Sequence, residues 1–238
     1  MKYKYKPHSQ LEDFGEKIYK LLVDNFPQTF YVGGMVRDIL LNKKVKDIDI
    51  ATSAKPEEAK RILLSHKINF FNEFEKFGII TANNGNLKIE IATFRKESYG
   101  KSRYPKVEFV FDAKTDSQRR DFTINALYLR ANTGQVLDFY KGLDDLKARQ
   151  LRFIGKPVKR ITEDPLRIVR ALRFVLELNL KIQSQTKSDM QKYFYLVKTL
   201  TASKVQSEIN KIKNIRNKKI IILALNEPKS LDNLLKTR

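Results

Sequence analysis

The sequence predicts an α+β chain, with a mixed-sheet head and flanking helices over residues 1–150 followed by an all-helical neck over 151–238. Three observations carry this. Up to about Arg149, short alternating segments broken by Asn/Gly turns read as strands and hairpins. Beyond it, apolar residues recur at helical spacing. Polar content stays similar across the change and no Gly- or Ser-rich linker marks it, so the head leads directly into the neck.

In chain order, Ser9 or Gln10 to about Phe26 places Leu11, Phe14, Ile18, Leu21 and Leu22 on one helical stripe. Thr29 to Val32 is a short strand ended by Gly33-Gly34, and Met35 to Leu41 is helical. Lys46 to Ala51 alternates charged and apolar residues, as a half-buried strand does. Pro56 opens a helix to Leu64, proline being tolerated in a first turn. Ile79 to Ala82 and Leu87 to Phe94 flank Asn83-Asn84-Gly85-Asn86, a hairpin signal. Lys96 to Lys106 reads as a polar loop before a strand at Val107 to Phe111, and Ala126–Arg130 with Val136–Phe139 forms a second hairpin. Helices are expected over 164–178, 186–196, 202–213, 216–225 and 229–236. Phe70, Phe71, Phe74 and Phe77 are expected in the core, and the lone His8 and His66 have no ligand spacing.

The 238 residues are 42% hydrophobic, enough for a packed core. With no cysteine there is no disulfide framework, thiol nucleophile or thiolate zinc site. The longest wholly apolar run, Ile220 to Leu225, is far too short to span a bilayer, and the basic start MKYKYKPHSQ leads into no signal-peptide apolar stretch. These readings exclude a membrane protein and a secreted disulfide scaffold, and the expected location is cytoplasmic. There are 47 Lys and Arg against 27 Asp and Glu, a net charge of +20, of which +13 lies beyond residue 150. Such an excess suits a polyanionic partner, and by itself suits a merely Lys-rich composition equally well.

Asp47-Ile48-Asp49 places two carboxylates on one face of a strand and Ile48 on the other. Like charges held that close are costly without a cation, and Mg²⁺ takes carboxylate oxygens while leaving positions for phosphate. Alone, such a pair is more often an exposed strand edge. Here Gly33-Gly34 precedes a helix carrying Arg37, and glycine lets backbone approach a triphosphate. Glu90, in the alternating strand Lys88 to Ile91, is a candidate third metal ligand.

The segments Tyr31-Val-Gly-Gly-Met-Val-Arg-Asp-Ile-Leu-Leu41 and Lys46-Asp-Ile-Asp-Ile-Ala-Thr-Ser53 resemble the catalytic signature of the class II tRNA nucleotidyltransferases, the CCA-adding enzymes and related bacterial poly(A) polymerases. The resemblance continues in order through Thr93-Phe-Arg-Lys-Glu97, Arg119-Arg-Asp-Phe-Thr-Ile-Asn-Ala-Leu127, Asp138-Phe-Tyr-Lys-Gly142 and Glu163-Asp-Pro-Leu-Arg-Ile-Val-Arg-Ala-Leu-Arg-Phe174. It implies a nucleotidyltransferase-type sheet, and template-independent addition of C and/or A to the tRNA 3′ end from CTP and ATP with pyrophosphate release. Asp47 and Asp49 would be the catalytic metal ligands, with Mg²⁺ as cofactor. Gly33, Gly34 and Arg37 would cradle phosphates, and Arg120, Asp121 and Asn125 would bind ribose. Asp164 and Arg167, at i and i+3 on one face of the expected helix, would read the base edge, with Arg170 a further nucleotide contact and Arg173 at the surface. A carboxylate accepts from an exocyclic amine while a guanidinium donates to ring nitrogen or carbonyl, a pattern that fits cytosine and adenine and repels uracil and guanine.

The sequence also departs from this pattern. The loop Glu97 to Pro105 resembles the flexible loop that switches the family from CTP to ATP; Arg103 and Pro105 match, but Lys101 stands where an acidic residue is usual. Lys204 stands where an arginine normally braces the template helix. The family usually continues into body and tail regions that hold the tRNA elbow, whereas this sequence stops at Arg238. It therefore reads as a piece of a longer chain, a minimal enzyme, or a part completed by a homo-oligomer or a separate partner subunit. The alternatives are an ATP-only poly(A) polymerase and a non-catalytic RNA-binding remnant.

Overall fold

Alternation along Ile48–Thr52 builds the centre of a seven-stranded sheet. In the computed structural model, which describes Tyr3, residues 5–100 and residues 105–226, Ile48 and Ile50 are buried beneath helix α1 (Gln10–Asn25). That helix starts where Ser9 caps it: the Ser9 hydroxyl accepts from the Glu12 amide at 3.3 Å. It buries Phe14, Ile18, Tyr19 and Leu22 on one stripe. Gly15 lies on the same stripe because nothing larger fits easily; a Cβ there would stand 2.6 Å from Cδ1 of Ile48 and 3.6 Å from Cδ1 of Ile89.

The strands are β1 (Thr29–Val32), β2 (Ile48–Thr52), β3 (Asn69–Phe71), β4 (Ile79–Asn84) and β5 (Leu87–Thr93), with β6 (Arg95–Ser98) and β7 (Lys106–Phe109) as a separate antiparallel pair, then β8 (Leu127–Arg130) and β9 (Gln135–Asp138). The main sheet runs β3-β4-β5-β2-β1-β8-β9, antiparallel except for the β2–β5 pair. Helices α2 (Gly34–Leu40), α3 (Pro56–Ser65) and α4 (Ala113–Ser117) complete this part. The β4–β5 turn reverses through Gly85, whose φ of 61° suits glycine.

The polar loop expected over 96–106 is in part the β6–β7 hairpin. It lacks apolar alternation because its inward residues, Arg95 and Glu97, are charged and paired with each other at 3.0 Å. The four phenylalanines expected in the core also divide differently. Phe70 and Phe77 are half-buried, but Phe71 and Phe74 are 43% and 55% exposed. Strand β3 is the sheet edge, and Phe71 points to the face that α1 and α3 leave uncovered.

The chain forms two compact units, one of residues 1–120 and 125–142, the other of 121–124 and 143–238. The second holds most of α5 (Gly142–Lys147), then α6 (Pro157–Glu163), α7 (Leu166–Leu178), α8 (Ser184–Lys192), α9 (Ala202–Asn210) and α10 (Ile215–Asn226). It also contains the short parallel pair β10 (Gln150–Leu151) and β11 (Lys181–Ile182). Phe122 packs there against Phe153 and Phe174, with ring centroids 4.7 and 5.7 Å away. The helix expected over 164–178 is broken at Pro165, leaving Asp164 in extended backbone, because proline disfavours the helical region for the residue before it. The segment 229–236 lies outside the described residues. Among the described residues no helix is long and apolar enough to cross a membrane.

Gly15→Leu is expected to lower unfolding free energy by about 1–3 kcal/mol through overpacking against Ile48, while Gly15→Ala, which displaces only the end of that side chain, has a much smaller effect. Urea midpoints of the two variants check this.

Candidate functional site

The register of the main sheet sets one row of residues across six strands. Tyr128 lies beside Val32, Val32 beside Asp49, Asp49 beside Glu90, Glu90 beside Thr81, and Thr81 beside Phe71. Paired residues share a sheet face, so Asp49 and Glu90 stand together on the face opposite α1. At the β8–β1 end that face is closed by a core of Phe30, Val32, Ala51, Phe94, Ala113 and Tyr128. Towards β3 it opens into a cavity of about 360 Å³ lined in part by Asp47, Asp49 and Glu90. Asp47 precedes β2 and is exposed, whereas Asp49 is half-buried.

β1 runs into Gly33, whose φ is 70° and which caps α2 without a side chain. A Cβ at Gly33 would lie 3.1 Å from the Asp49 Oδ2 and 3.8 Å from Arg120 Nη1. Glycine therefore lets the start of α2, the Asp49 carboxylate and the Arg120 guanidinium converge. Arg37, one turn into α2, is buried; its Nε and Nη2 donate to Asp38 Oδ1 at 2.9 and 2.8 Å, and its Nη1 to Asn125 Oδ1 at 2.7 Å. Gly33, Gly34, Arg37 and Asn125 thus form one backbone-and-cation wall.

The position of Arg120 is set from behind. Its Nε donates to the Tyr128 hydroxyl at 2.8 Å, and that hydroxyl donates to Asp116 Oδ2 at 2.6 Å. Asp116 is wholly buried and also accepts from Arg120 Nη2 at 3.3 Å, Arg119 Nε at 2.8 Å and the Arg95 amide at 3.1 Å. Burial raises the Asp116 carboxyl, but Arg119 and Arg120 outweigh it and hold the group down at about 2. Burial likewise disfavours the Arg120 charge, and Tyr128 with Asp116 holds it above the ordinary guanidinium range. Sequence reasoning missed Asp116 and Tyr128. Asp116 had a signal, since it stands three and four residues before Arg119 and Arg120; Tyr128 had none short of the sheet register.

In the second unit, Asp121 accepts from the Phe122 amide at 2.7 Å and pairs with Arg170 at 2.6 Å. Asp164 and Arg167 do not share a helical face, since Asp164 ends α6 and Arg167 is in α7. The Asp164 carboxylate instead accepts from the Leu166 amide at 3.2 Å, and its carbonyl from the Arg167 amide at 3.1 Å. The Arg167 guanidinium is buried and donates through Nη1 to the Arg160 carbonyl at 2.7 Å and Glu163 Oε2 at 2.9 Å. The Asp164 side chain is held by neighbouring backbone, and that of Arg167 by backbone and the Glu163 carboxylate. Arg173, expected at the surface, instead bridges α7 and α9 by donating to Glu208 Oε1 at 2.7 Å, with Glu177 at 3.0 Å. Lys204 lies on α9, the helix bearing Glu208. Lys101 and Arg103 lie outside the described residues.

The donor set Asp47 and Asp49 is all carboxylate oxygen and open to the cavity, which suits a hard divalent cation such as Mg²⁺. Among the described residues no three His, Cys, Asp or Glu side chains group closely enough to enclose an ion by themselves, so substrate oxygens and water would complete its coordination.

Comparison with known proteins agrees with this geometry. The poly A polymerase head domain profile matches residues 29–152. The chain is 40% identical over 187 residues to the CCA-adding enzyme of Lactococcus lactis subsp. cremoris, covering 78% of this chain and 46% of that protein. It is 41% identical to that of Streptococcus uberis over 78% of this chain and 45% of that one. Among solved structures, the Bacillus stearothermophilus CCA-adding enzyme in complex with CTP superposes with a TM-score of 0.76 at 28% identity, covering 86% of this chain and 49% of that one. A tRNA nucleotidyltransferase complexed with a primer tRNA and an incoming ATP analogue gives 0.69 at 30% identity, over 95% and 62%. The chain spans about half the length of the curated relatives it matches.

The Asp116 network has a pH signature. Its carboxyl is depressed from 3.8 to about 2, so its contribution is complete above about pH 4 and is lost as pH falls towards 2. Chemical denaturation between pH 5 and 2.5 (roughly the span of that linkage) should show a falling stability limb. Asp116→Asn should flatten that limb and cost about 3–5 kcal/mol at neutral pH, by leaving Arg119 and Arg120 without their buried counter-ion.

Proposed function

The chain belongs to the poly A polymerase head domain family, and from that membership we propose that it adds C and/or A to the 3′ end of tRNA, using CTP and ATP and releasing pyrophosphate. The observation that carries the reading is the convergence of Asp49 and Arg120 on Gly33, with Asp49 also lining a carboxylate-rich cavity. Carboxylates and a cationic, amide-rich wall side by side suit a phosphoryl centre that needs both metal coordination and anion binding. Relatives solved with CTP and with a primer tRNA and ATP analogue support the substrate class.

In this reading Asp47 and Asp49 hold the divalent ions, which when bound lower the charge of the triphosphate and the pKa of the attacking hydroxyl. Gly33 and Gly34 present backbone to the phosphates, with the Arg37 guanidinium, held by Asp38 and Asn125, beside them. The primer 3′-oxygen bonds to the α-phosphorus as the α–β phosphoanhydride breaks. Arg120, Asp121 and Asn125 serve the ribose. Asp164 and Arg167 read the amino and ring-nitrogen edge shared by cytosine and adenine, their orientation fixed by hydrogen bonds to Leu166, Arg160 and Glu163. Catalysis falls to the head, residues 1–150, and base reading with RNA binding to the neck, 151–238, where most of the positive charge lies.

The test is to supply each NTP singly with tRNAs ending before the terminal CCA, after its second C, or at a random 3′ end. CTP and/or ATP should be incorporated on tRNA, and UTP and GTP should not. Long ATP-only tails on any RNA would move the chain to the poly(A) polymerase branch. Asp47→Ala should lose addition by about 10³-fold, several kcal/mol of transition-state stabilisation, with an unchanged circular dichroism spectrum; a folded, fully active Asp47→Ala protein would overturn the proposal. Affinity for tRNA should fall at least about tenfold between roughly 50 and 200 mM salt, through counterion release.

A further inference from the structure

Two large aromatic side chains of the first unit stand largely at its surface. Phe71 and Phe74 are 43% and 55% exposed, and both line the cavity of about 360 Å³ that also takes in Asp47, Asp49 and Glu90. Scattered apolar residues on a surface need no explanation. A pair at the rim of a ligand-sized cavity shared with the catalytic carboxylates does. The Lys88 ammonium sits over the Phe71 ring, 5.2 Å from its centroid, and lines the same cavity.

The chemistry of the walls selects the occupant. Asp49 stands between two different environments. Towards α2 it meets Gly33 and Arg120, a cationic setting fit for phosphates. Towards β3 it meets a cavity of phenyl rings and carboxylates, to which Glu73 adds another acid. With one lysine, Lys88, against four carboxylates, Asp47, Asp49, Glu73 and Glu90, this lining disfavours the charge of a triphosphate. A nucleoside fits: its base has a π face for stacking, its hydroxyls donate to carboxylates, and it carries no charge.

We propose that this cavity binds the 3′-terminal nucleoside of the RNA primer, its base stacked on Phe71 and Phe74 and its ribose turned to Asp47, Asp49 and Glu90. Lys88 then meets the phosphate joining that nucleoside to the preceding one. The placement sets the primer 3′-hydroxyl on the carboxylate side of Asp49 facing away from Arg120, so that attacking and leaving oxygens approach from opposite sides, as in-line displacement requires. Stacking tolerates any base, so the site holds C or A ends alike and leaves selection to the residues that read the incoming nucleotide. The inference rests on the nucleotidyltransferase reading above and adds to it the residues that grip the acceptor.

The experiment uses the full chain and an RNA primer with 2-aminopurine as its last nucleoside, without NTP, alongside the same RNA with the probe several nucleotides upstream. The terminal probe should be quenched several-fold on saturation and the upstream probe little changed. Phe71→Ala and Phe74→Ala, both at exposed positions, should each restore much of the fluorescence and weaken primer binding about tenfold, with CTP affinity unchanged within about twofold. Phe74→Tyr, which keeps a ring, should retain the quenching. Failure of the wild-type protein to quench the terminal probe, or quenching that survives in the Phe71→Ala/Phe74→Ala double variant, overturns the proposal. A protein that quenches but adds no nucleotide supports the subsite and refutes the catalytic reading. One that adds nucleotides without quenching does the reverse.

Discussion

A single buried carboxylate organises the catalytic unit. Asp116 has no exposed surface, and accepts hydrogen bonds from the Arg95 amide, Arg119, Arg120 and Tyr128. A buried charge is tolerable only when its desolvation is offset by close, well-aligned partners, and here each carboxylate oxygen has at least two. The consequence reaches the reaction centre. α4 carries the carboxylate, β6 supplies the amide and β8 supplies the phenol, so three elements must be in place before Arg120 can stand beside Asp49. Arg120 is positioned by tertiary structure, whereas Asp49 is positioned by the alternation of one strand.

That difference explains which parts of the site could be read in the sequence. Ile48, Asp49 and Ile50 were legible because period-two alternation with one apolar face is a local property, and the buried Ile48 and Ile50 bear out the half-buried strand, although Asp47 lies just before it. The β4–β5 turn and the start of α1 were legible through Gly85 and Ser9 for the same reason. Tyr128 was not, because its partner lies twelve residues away and only the β1–β8 register brings its hydroxyl to Arg120. The β6–β7 hairpin escaped notice because its alternation is written in charges. Phe71 and Phe74 were misread because composition reports apolarity and not whether an element covers it.

Pro165 teaches a related lesson in the second unit. Spacing alone makes residues 164 and 167 helical neighbours, but proline ends one helix and begins another between them. What holds Asp164 and Arg167 is therefore not a shared helical face but hydrogen bonds to backbone groups on either side of the break. Such an arrangement resists rotation of either side chain more than an exposed i,i+3 pair would, since exposed pairs contribute little. Under the proposed base reading, rigidity of this kind suits discrimination between bases of similar size, where a loose pair would bend to accept the wrong pattern.

The sheet edge carries a hazard as well as a use. An exposed aromatic on a terminal strand invites another chain to add itself through the unpaired amides and carbonyls. Strand β3 is only three residues long, Asn69–Phe71, and Lys67 and Glu73 flank it. Too few consecutive backbone groups are offered for a foreign strand to gain a stable register, and the flanking charges oppose its approach. The brevity of that strand lets two phenyl rings stand exposed beside the cavity without offering a foreign strand a long edge to pair with.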